Sequence, residues 1–190
     1  MKELVVALDL ELNQPSGRIV QIGAVLGNVR TGEVVSHFDA KVNPEEPFSS
    51  RIAELTGIGA LELESAPSLA VAGEDLAAWL TPRDSVRILN PLTWGGDDTV
   101  VLREQLGLSQ ERWMFGRRWI DVKTLYVAWR MAQYKEISGG LAKAMTKLGL
   151  AFQGRKHNAL DDALNTFRMY RALLAEFRKN ECLPRLPAEL

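Results

Sequence analysis

The chain has 190 residues, of which 46% are hydrophobic and 25% are charged, and its formal net charge is −1. These values are typical of one globular domain and exclude a disordered, collagen-like or coiled-coil protein. The near-zero net charge also excludes a strongly basic nucleic-acid coat protein.

The N-terminal part of the chain predicts three strands. Leu4–Leu8 is a short, continuous apolar run, as in a strand that is buried on both faces. Arg18–Leu26 is rich in β-branched residues, and Glu33–Val42 follows the turn at Thr31-Gly32. Because short turns join these consecutive strands, they favour an antiparallel meander.

Apolar residues then recur with the period of helices. This spacing predicts five helices, and one short apolar run among them predicts a further strand, Val86–Leu89. The predicted helices are Ser68–Leu80, Asp98–Leu108, Trp119–Met131, Leu141–Leu148 and Ala159–Arg178. Strands followed by alternating helices and short strands indicate a mixed-sheet α/β domain.

Cysteine usage and the N-terminus predict the compartment. Cys182 is the only cysteine, so an internal disulfide is excluded and a reducing setting is expected. The run Leu4–Leu8 ends at Asp9 and is too short for the apolar region of a signal peptide. No stretch approaches the roughly 20 apolar residues that a membrane span needs. We therefore expect a cytoplasmic protein with no membrane partner.

Two carboxylates follow the first predicted strand. Asp9 and Glu11 are two residues apart, so on a strand they project from the same face. At the end of a buried strand they would repel each other, and a cation between them would remove that cost. Mg²⁺ or Mn²⁺ is the natural candidate because hard cations prefer oxygen ligands. The structural alternative is that the strand simply reaches water here.

The start of the last predicted helix carries His157, Asp161 and Asp162. A histidine in a loop with basic neighbours, just ahead of an acidic helix start, is well placed for acid–base chemistry near pH 7. The alternative is structural, because Asn158 can cap the helix and acids in its first turn suit the helix dipole. Helical periodicity does not separate the two aspartates.

A third acidic segment runs from Thr93 to Asp98 and contains Trp94, two glycines and Asp97. The glycines permit close backbone approach, and the tryptophan could stack on a base. A capped helix start beside a half-buried tryptophan explains the same residues equally well.

The three segments together, in this order and spacing, resemble the motifs of the DnaQ-like (DEDDh) 3′–5′ exonucleases. The resemblance covers about residues 4–178 and is most specific at His157–Ala163. It also includes Ile19–Ala24, the Leu55–Ile58 turn and Ile120–Lys123. It implies an α/β fold of the RNase H-like (DnaQ-like exonuclease) type, with a five-stranded mixed sheet flanked by helices. It also implies one exonuclease domain over residues 1–180, followed by a C-terminal tail over residues 181–190.

The family chemistry suggests roles for individual residues. In such enzymes four carboxylates hold two divalent cations, Mg²⁺ or Mn²⁺, and a histidine takes a proton from the attacking water. Carried over by position, the base is His157, and the metal ligands are Asp9, Glu11, Asp98 and Asp162. Only the family spacing prefers Asp98 and Asp162, so Asp97 and Asp161 stay open as alternatives.

The first motif departs from the family pattern after its glutamate. Many relatives have threonine there, where the chain contacts the terminal nucleotide, and this sequence has Leu12. Leu12 could wedge under the last base, and Asn13 could donate to the sugar or the phosphate. The second motif also lacks the frequent aromatic residue directly before its aspartate, having Gly96-Asp97-Asp98 instead.

The resemblance implies a metal-dependent 3′–5′ exonuclease that releases nucleoside 5′-monophosphates from the 3′ end of single-stranded DNA or RNA. Two alternatives are a catalytically silent nucleic-acid-binding or recruitment module of the same fold and a hydrolase of very short oligonucleotides. A homodimer and a polymerase or repair partner both stay open. The cations Arg112, Arg117, Arg118 and Lys123 could form a basic rim that guides a strand inward, or a solvated face.

Overall fold

The computed structural model of the chain describes residues 3–80 and 90–179. Its strands are β1 (Leu4–Leu12), β2 (Ile19–Asn28), β3 (Val34–Lys41), β4 (Leu92–Thr93) and β5 (Ile120–Asp121). They form one sheet in the order β3-β2-β1-β4-β5. The first three strands pair antiparallel, whereas β4 pairs parallel to β1 and β5 parallel to β4. The predicted mixed sheet and its antiparallel meander are confirmed.

Seven helices occur within the described ranges. They are α1 (Ser50–Thr56), α2 (Ala60–Glu64), α3 (Leu69–Leu80), α4 (Asp98–Gln105), α5 (Val122–Met131), α6 (Leu141–Lys147) and α7 (Ala159–Lys179). The last five lie where the apolar period predicts helices. The sequence did not predict α1 and α2, because helices of seven and five residues make two turns or fewer and show no apolar period.

Two predictions fall on parts of the chain that the structure does not describe. The expected strand Val86–Leu89 and the expected tail over residues 181–190 both lie outside the described residues. Across residues 3–80 and 90–179, no helix combines the length and the apolar character needed to cross a membrane.

Apolar side chains cover both faces of the sheet. On one face Leu8, Leu10 and Leu12 of β1 pack with residues of α3 and α4. On the other face Ala7 packs with the helices α5, α6 and α7. Because side chains alternate along a strand, Asp9 and Glu11 continue the Ala7 face, toward α7.

Strand β1 runs further than predicted, to Leu12 instead of Leu8. Asp9 pairs with Gly23 and Glu11 with Gln21 on β2, so the acidic pair lies within the stretch of β1 that pairs with β2 rather than beyond the end of the strand. The charges interrupt the apolar run without interrupting the alternation of faces, and that alternation is what sheet pairing needs.

The helix predicted at Trp119–Met131 begins instead at Val122. Ile120 and Asp121 pair with β4 and belong to the sheet. The carboxylate of Asp121 then caps α5, accepting from the backbone N–H groups of Lys123 at 2.9 Å and Thr124 at 3.3 Å. An N-cap residue lies outside the helix, which explains the later start.

The first turn of α7 lies directly against β2. A Cβ atom on Gly23 would lie 2.1 Å from the carbonyl carbon of Ala159, so only glycine permits this approach. The fully buried Gln21 accepts from the backbone N–H of Ala159 at 3.1 Å and donates to Asp39 at 2.7 Å. Since Gly23 and Gln21 pair with Asp9 and Glu11, these contacts bring the start of α7 beside the acidic strand.

Substituting Gly23→Ala should therefore loosen both the fold and the candidate site. Overpacking of this kind costs about 1–3 kcal/mol, which lowers Tm by roughly 3–10 °C in a domain of this size. Thermal melting measures the loss, with Gly59→Ala as the matched control because its added methyl would meet nothing closer than 3.9 Å. Equal melting temperatures for the two variants would show that the close approach at Gly23 does not hold α7 in place.

Candidate active site

Side chains from three elements converge on the α7 side of β1. Within the described residues, Asp9 and Glu11 lie in β1, Asp98 in the first turn of α4, and Asp162 in the first turn of α7. His157 lies in the loop before α7. Ligand atoms of Glu11, His157 and Asp162 all lie within 4.8 Å of one another. The structure thus brings together all five residues to which the family pattern gives a catalytic or metal-binding role.

The carboxylates strongly perturb one another. Burial raises the pKa of Asp9 well above its usual range, and the charges of Asp98, Asp162 and Glu11 raise it further. Glu11 is 9% exposed, and burial followed by the charges of Asp162 and Asp98 raises its pKa to about 7. Burial, with the charge of Asp97 next, also raises the pKa of Asp98 to about 7. Such repulsion costs free energy unless protons or cations neutralise it.

This donor set fits divalent cations. The site offers four carboxylates and one imidazole, and carboxylate oxygens are the ligands that Mg²⁺ and Mn²⁺ prefer. Burial raises the pKa of the Asp162 carboxyl as well, while the hydrogen bond from the His157 backbone opposes that rise. Among the described residues, no lysine or arginine forms an ion pair with any of the four carboxylates. A bound metal cation would therefore be what removes their mutual repulsion.

Asp97 and Asp98 have different surroundings. Asp97 is exposed at the N-cap of α4, and its side chain makes no capping hydrogen bond. Asp98 is partly buried, and its charge is the largest electrostatic contribution to the raised pKa of Asp9 after burial itself. Asp98 is therefore the member of the pair whose charge acts on the acidic strand.

Asp161 and Asp162 also divide between two tasks. Asp161 accepts from the backbone N–H of Arg155 at 2.8 Å, and its carboxylate lies against Gly154. Asp162 accepts from the backbone N–H of His157 at 2.9 Å and lines the cleft beside Asp9. The first aspartate holds the loop, and the second lies in the site.

His157 has an unusual backbone conformation, with φ of 60°. Residues other than glycine enter this left-handed region at a cost of about 1 kcal/mol or more, and such residues cluster at functional sites. The hydrogen bond to Asp162 helps to hold the strained residue. The imidazole is exposed at the cleft, where solvent and substrate can reach it.

The structure corrects the expected role of Asn13. This side chain is only 2% exposed, donates to Glu46 at 2.6 Å and to the Pro47 carbonyl at 3.1 Å, and accepts from the Ser49 N–H at 3.0 Å. Its amide is thus used to anchor the loop ahead of α1. Donation from Asn13 to a sugar or phosphate was the wrong expectation.

Two clefts meet at Leu10 and Glu11, which line both. The first, of about 540 Å³, contains Asp9, His157 and Asp162. Its other walls are formed by residues of four segments: Trp94, Lys123, Gly140, Leu141, Ala142, Lys143, Phe152 and Lys156. The second, of about 700 Å³, is mainly apolar and is lined by Leu12, Gln14, Pro15, Arg51, Ile52 and Leu55. Glu11 thus lies at the junction of the two clefts, and Asp9 and Asp162 lie in the charged one.

Arg155 links the loop before α7 to the end of α1. Its guanidinium donates to the Glu54 carbonyl at 3.3 Å and packs on Gly57, whose φ of 72° ends α1. The Leu55–Ile58 turn therefore holds the His157 loop in place, although it supplies no ligand of its own.

Sequence reasoning missed some residues that shape the site. It gave no role to Gln21, although a glutamine inside an apolar strand is a usable signal, because a buried amide must find partners. It also missed Lys143. No local pattern marks a lysine on a short amphipathic helix as part of a cleft.

The chain is similar to known nucleases in sequence and in fold. The family model RNase_T, described as an exonuclease, matches residues 6–170. ERI1 exoribonuclease 2 of Mus musculus is 30% identical over an alignment of 197 positions, which covers 92% of this chain and 27% of that protein. The 3′-5′ exonuclease Snipper of Drosophila melanogaster is 29% identical over 167 residues, covering 77% of this chain and 57% of that protein. The chain thus spans about a quarter of the mouse protein and somewhat more than half of the fly protein.

Among solved structures, the nuclease domain of 3′hExo, a DEDDh family member bound to rAMP, matches with a TM-score of 0.78 at 21% identity. The match covers 99% of this chain and 98% of that one. This likeness of fold confirms the predicted RNase H-like architecture. Since the family model matches most of the sequence, the chain belongs to the RNase_T exonuclease family.

Proposed function

We propose that residues 1–180 form a metal-dependent 3′–5′ exonuclease domain that releases nucleoside 5′-monophosphates from single-stranded nucleic acid. The observation that carries this proposal is the convergence of four carboxylates and one histidine from three elements. All five positions of the family pattern are filled, which argues against a catalytically silent module, because a degenerate copy would be expected to lose at least one.

Asp9, Glu11, Asp98 and Asp162 would hold two divalent cations, Mg²⁺ or Mn²⁺. When bound, these cations would neutralise the phosphodiester and make water a better nucleophile at neutral pH. They would also explain how a chain with a net charge of −1 binds a polyanion. The protein's own contribution is to hold the four carboxylates close together despite their repulsion.

His157 would act as the general base. It takes a proton from the water whose oxygen attacks phosphorus, while the bond from phosphorus to the 3′ oxygen breaks and that oxygen gains a proton. The exposed imidazole lies beside Glu11 and Asp162. The backbone N–H of His157 donates to the Asp162 carboxylate, and this hydrogen bond helps to position the histidine. A histidine suits this task because its proton affinity is matched to neutral pH.

The apolar cleft beside Leu12 would receive the terminal nucleoside. Leu12 is partly buried against the core, with Ile52 and Leu55 beside it, so a base could pack on a firm apolar surface. Several similar proteins bear the name exoribonuclease, which makes RNA the first substrate to test. A site that prefers RNA to DNA would have to contact the 2′-hydroxyl of the ribose.

The products identify the reaction. Single-stranded RNA and DNA of matched sequence, incubated with the protein and Mg²⁺, should yield nucleoside 5′-monophosphates from the first time point, as measured by mass spectrometry. Short oligonucleotides as first products, or nucleosides carrying 3′-phosphates, would contradict a 3′–5′ exonuclease. Binding of both strands without any product would instead support the silent recruitment module.

The neighbouring aspartates of α7 provide a matched pair of variants. Asp162→Ala should reduce turnover at least about 10²-fold more than Asp161→Ala, because only Asp162 reaches the site, and two factors of ten equal about 3 kcal/mol of transition-state stabilisation. Initial rates on one oligonucleotide at saturating Mg²⁺ measure the difference. Wild-type rates in Asp162→Ala combined with inactivity in Asp161→Ala would show that the fourth ligand is Asp161.

A further inference from the structure

The charged cleft beside the site contains cations that the proposed chemistry does not use. Lys123, near the start of α5, and Lys143, in α6, both line it together with Trp94. Lys156 lies next to His157, and its positive charge opposes the rise that burial causes in the pKa of Asp162. The apolar cleft on the far side of Glu11 contains one cation, Arg51, among its described lining residues. Positive charge is thus concentrated on one side of the carboxylates.

The side chains of Lys123 and Lys143 each pack against the backbone of a glycine. A Cβ on Gly95 would lie 2.8 Å from Cδ of Lys123, and a Cβ on Gly139 would lie 2.6 Å from Cδ of Lys143. Both glycines have positive φ, 64° and 116°. The aliphatic stem of each lysine therefore packs closely against the backbone of a glycine. A stem packed in this way leaves the ammonium group at its end to meet solvent or a ligand.

Neither ammonium group is neutralised by a carboxylate in an ion pair within residues 3–80 and 90–179. The nearby Lys147 pairs with Glu136 at 3.9 Å. Glu136 also has a lowered pKa, first through a hydrogen bond from Ser138 and then through the charges of Lys147 and Lys143. The charge of Lys143 thus acts on Glu136 from beyond ion-pair distance. Neither Lys143 nor Lys123 forms an ion pair among those residues, so both ammonium groups can bind a phosphate.

We infer that Lys123 and Lys143 bind a backbone phosphate of the strand on the 5′ side of the scissile bond. The inference rests on the proposed function, because it takes the carboxylates as the place of cleavage. A scissile bond at the junction has one nucleoside on each side. The apolar cleft suits the terminal base, so the rest of the strand leaves through the cleft in which the lysines offer charge to phosphates.

This assignment narrows the substrate class. A dinucleotide with a 5′-hydroxyl has one phosphodiester, which occupies the carboxylate site, and no further phosphate for the lysines. A longer strand gains the contact with both ammonium groups. The chain is therefore a nuclease of strands with at least one upstream phosphate, and very short oligonucleotides are its poorer substrates. The lysines act as positioning and specificity residues and touch no reacting atom.

The test compares a single strand of about ten nucleotides with the 5′-hydroxyl dinucleotide of the same sequence. For the wild-type protein, kcat/KM should be at least about tenfold higher on the strand, a difference of about 1.4 kcal/mol. In the double variant Lys123→Gln/Lys143→Gln this advantage should shrink about tenfold, mainly through a higher KM. The slope of log KM against log salt should also become shallower, by about 0.7 for each lost phosphate contact on a single strand.

Lys135→Gln is the matched control, because it removes an exposed lysine from the same region that does not line the cleft. It should leave both the strand advantage and the salt slope as in the wild type. The inference is overturned if the double variant keeps the full advantage and slope, or if it loses equally on both substrates. Failure of the wild type to cleave either substrate would refute the proposed nuclease function itself, which is a different result.

Discussion

Replacing Asp9 with alanine should reduce nuclease turnover at least about 10³-fold, a loss of about 4 kcal/mol of transition-state stabilisation. Asp9 is the carboxylate on which the other three converge, since the charges of Asp98, Asp162 and Glu11 all raise its pKa. Removing it takes away a central metal ligand. The expected kinetic signature is a lower kcat that added Mg²⁺ or Mn²⁺ does not restore.

The same substitution should leave the protein folded and should not lower its Tm in EDTA. Without metal, the buried carboxylate only repels its neighbours, so its removal relieves repulsion rather than breaking a favourable contact. Asp75→Ala is the matched control, because Asp75 is exposed on α3, against the opposite face of the sheet. Inactivity accompanied by a large drop in Tm would mean that Asp9 supports the fold instead of the chemistry.

Divalent cations should stabilise the protein strongly at pH 8 and only weakly at pH 5. In the folded chain the pKa values of Glu11 and Asp98 are raised to about 7, from ordinary values of 4.5 and 3.8. Between roughly pH 4 and pH 7 the folded state therefore holds protons that the unfolded state has released. In the absence of metal the free energy of unfolding must fall as the pH rises through this range. The contribution of these groups is fully present below their unfolded pKa values and is lost as the pH passes about 7.

Cations compete with those protons for the same oxygens, and so their effect grows with pH. A cation present at 100 times its Kd adds about 2.7 kcal/mol, or roughly 5–10 °C in Tm for a domain of this size. Melting curves with Mg²⁺ or EDTA at pH 5, 6.5 and 8 measure this, because the two curves at each pH differ only in the metal. A Mg²⁺ shift that is equal at all three pH values, or that persists in Asp9→Ala, would refute binding at this cluster.

The sequence alone predicts the parts of this fold that carry a clear period. The long α7 and the antiparallel strands β1 to β3 stand out because their apolar residues repeat over many positions. The two-residue strands β4 and β5 carry no such pattern, and pairing with β1 and with each other defines them. The end of β1 is likewise defined by pairing. From the sequence, Asp9 and Glu11 look like the point where the strand ends, and only their pairing with β2 shows that the strand continues.

For the candidate site, the motifs identify the acidic segments, but only the family spacing prefers one aspartate of each neighbouring pair. The residues themselves do not separate Asp97 from Asp98, and the structure adds that Asp97 is exposed whereas Asp98 is partly buried. Asn13 shows the reverse error: next to the acidic motif it looks like a donor to substrate, yet distant residues, Glu46 to Ser49, occupy its amide. Contacts that join segments far apart in the chain are not encoded in local pattern.

A time course with a 5′-labelled single strand tests the central claim most directly. With Mg²⁺ or Mn²⁺ the label should pass through a ladder of products that shorten one nucleotide at a time from the 3′ end, and EDTA should stop the reaction. RNA and DNA of matched sequence, run side by side, name the preferred sugar by the faster ladder. Cleavage that continues in EDTA, or label released at once as a mononucleotide from the 5′ end, would contradict a metal-dependent 3′–5′ exonuclease.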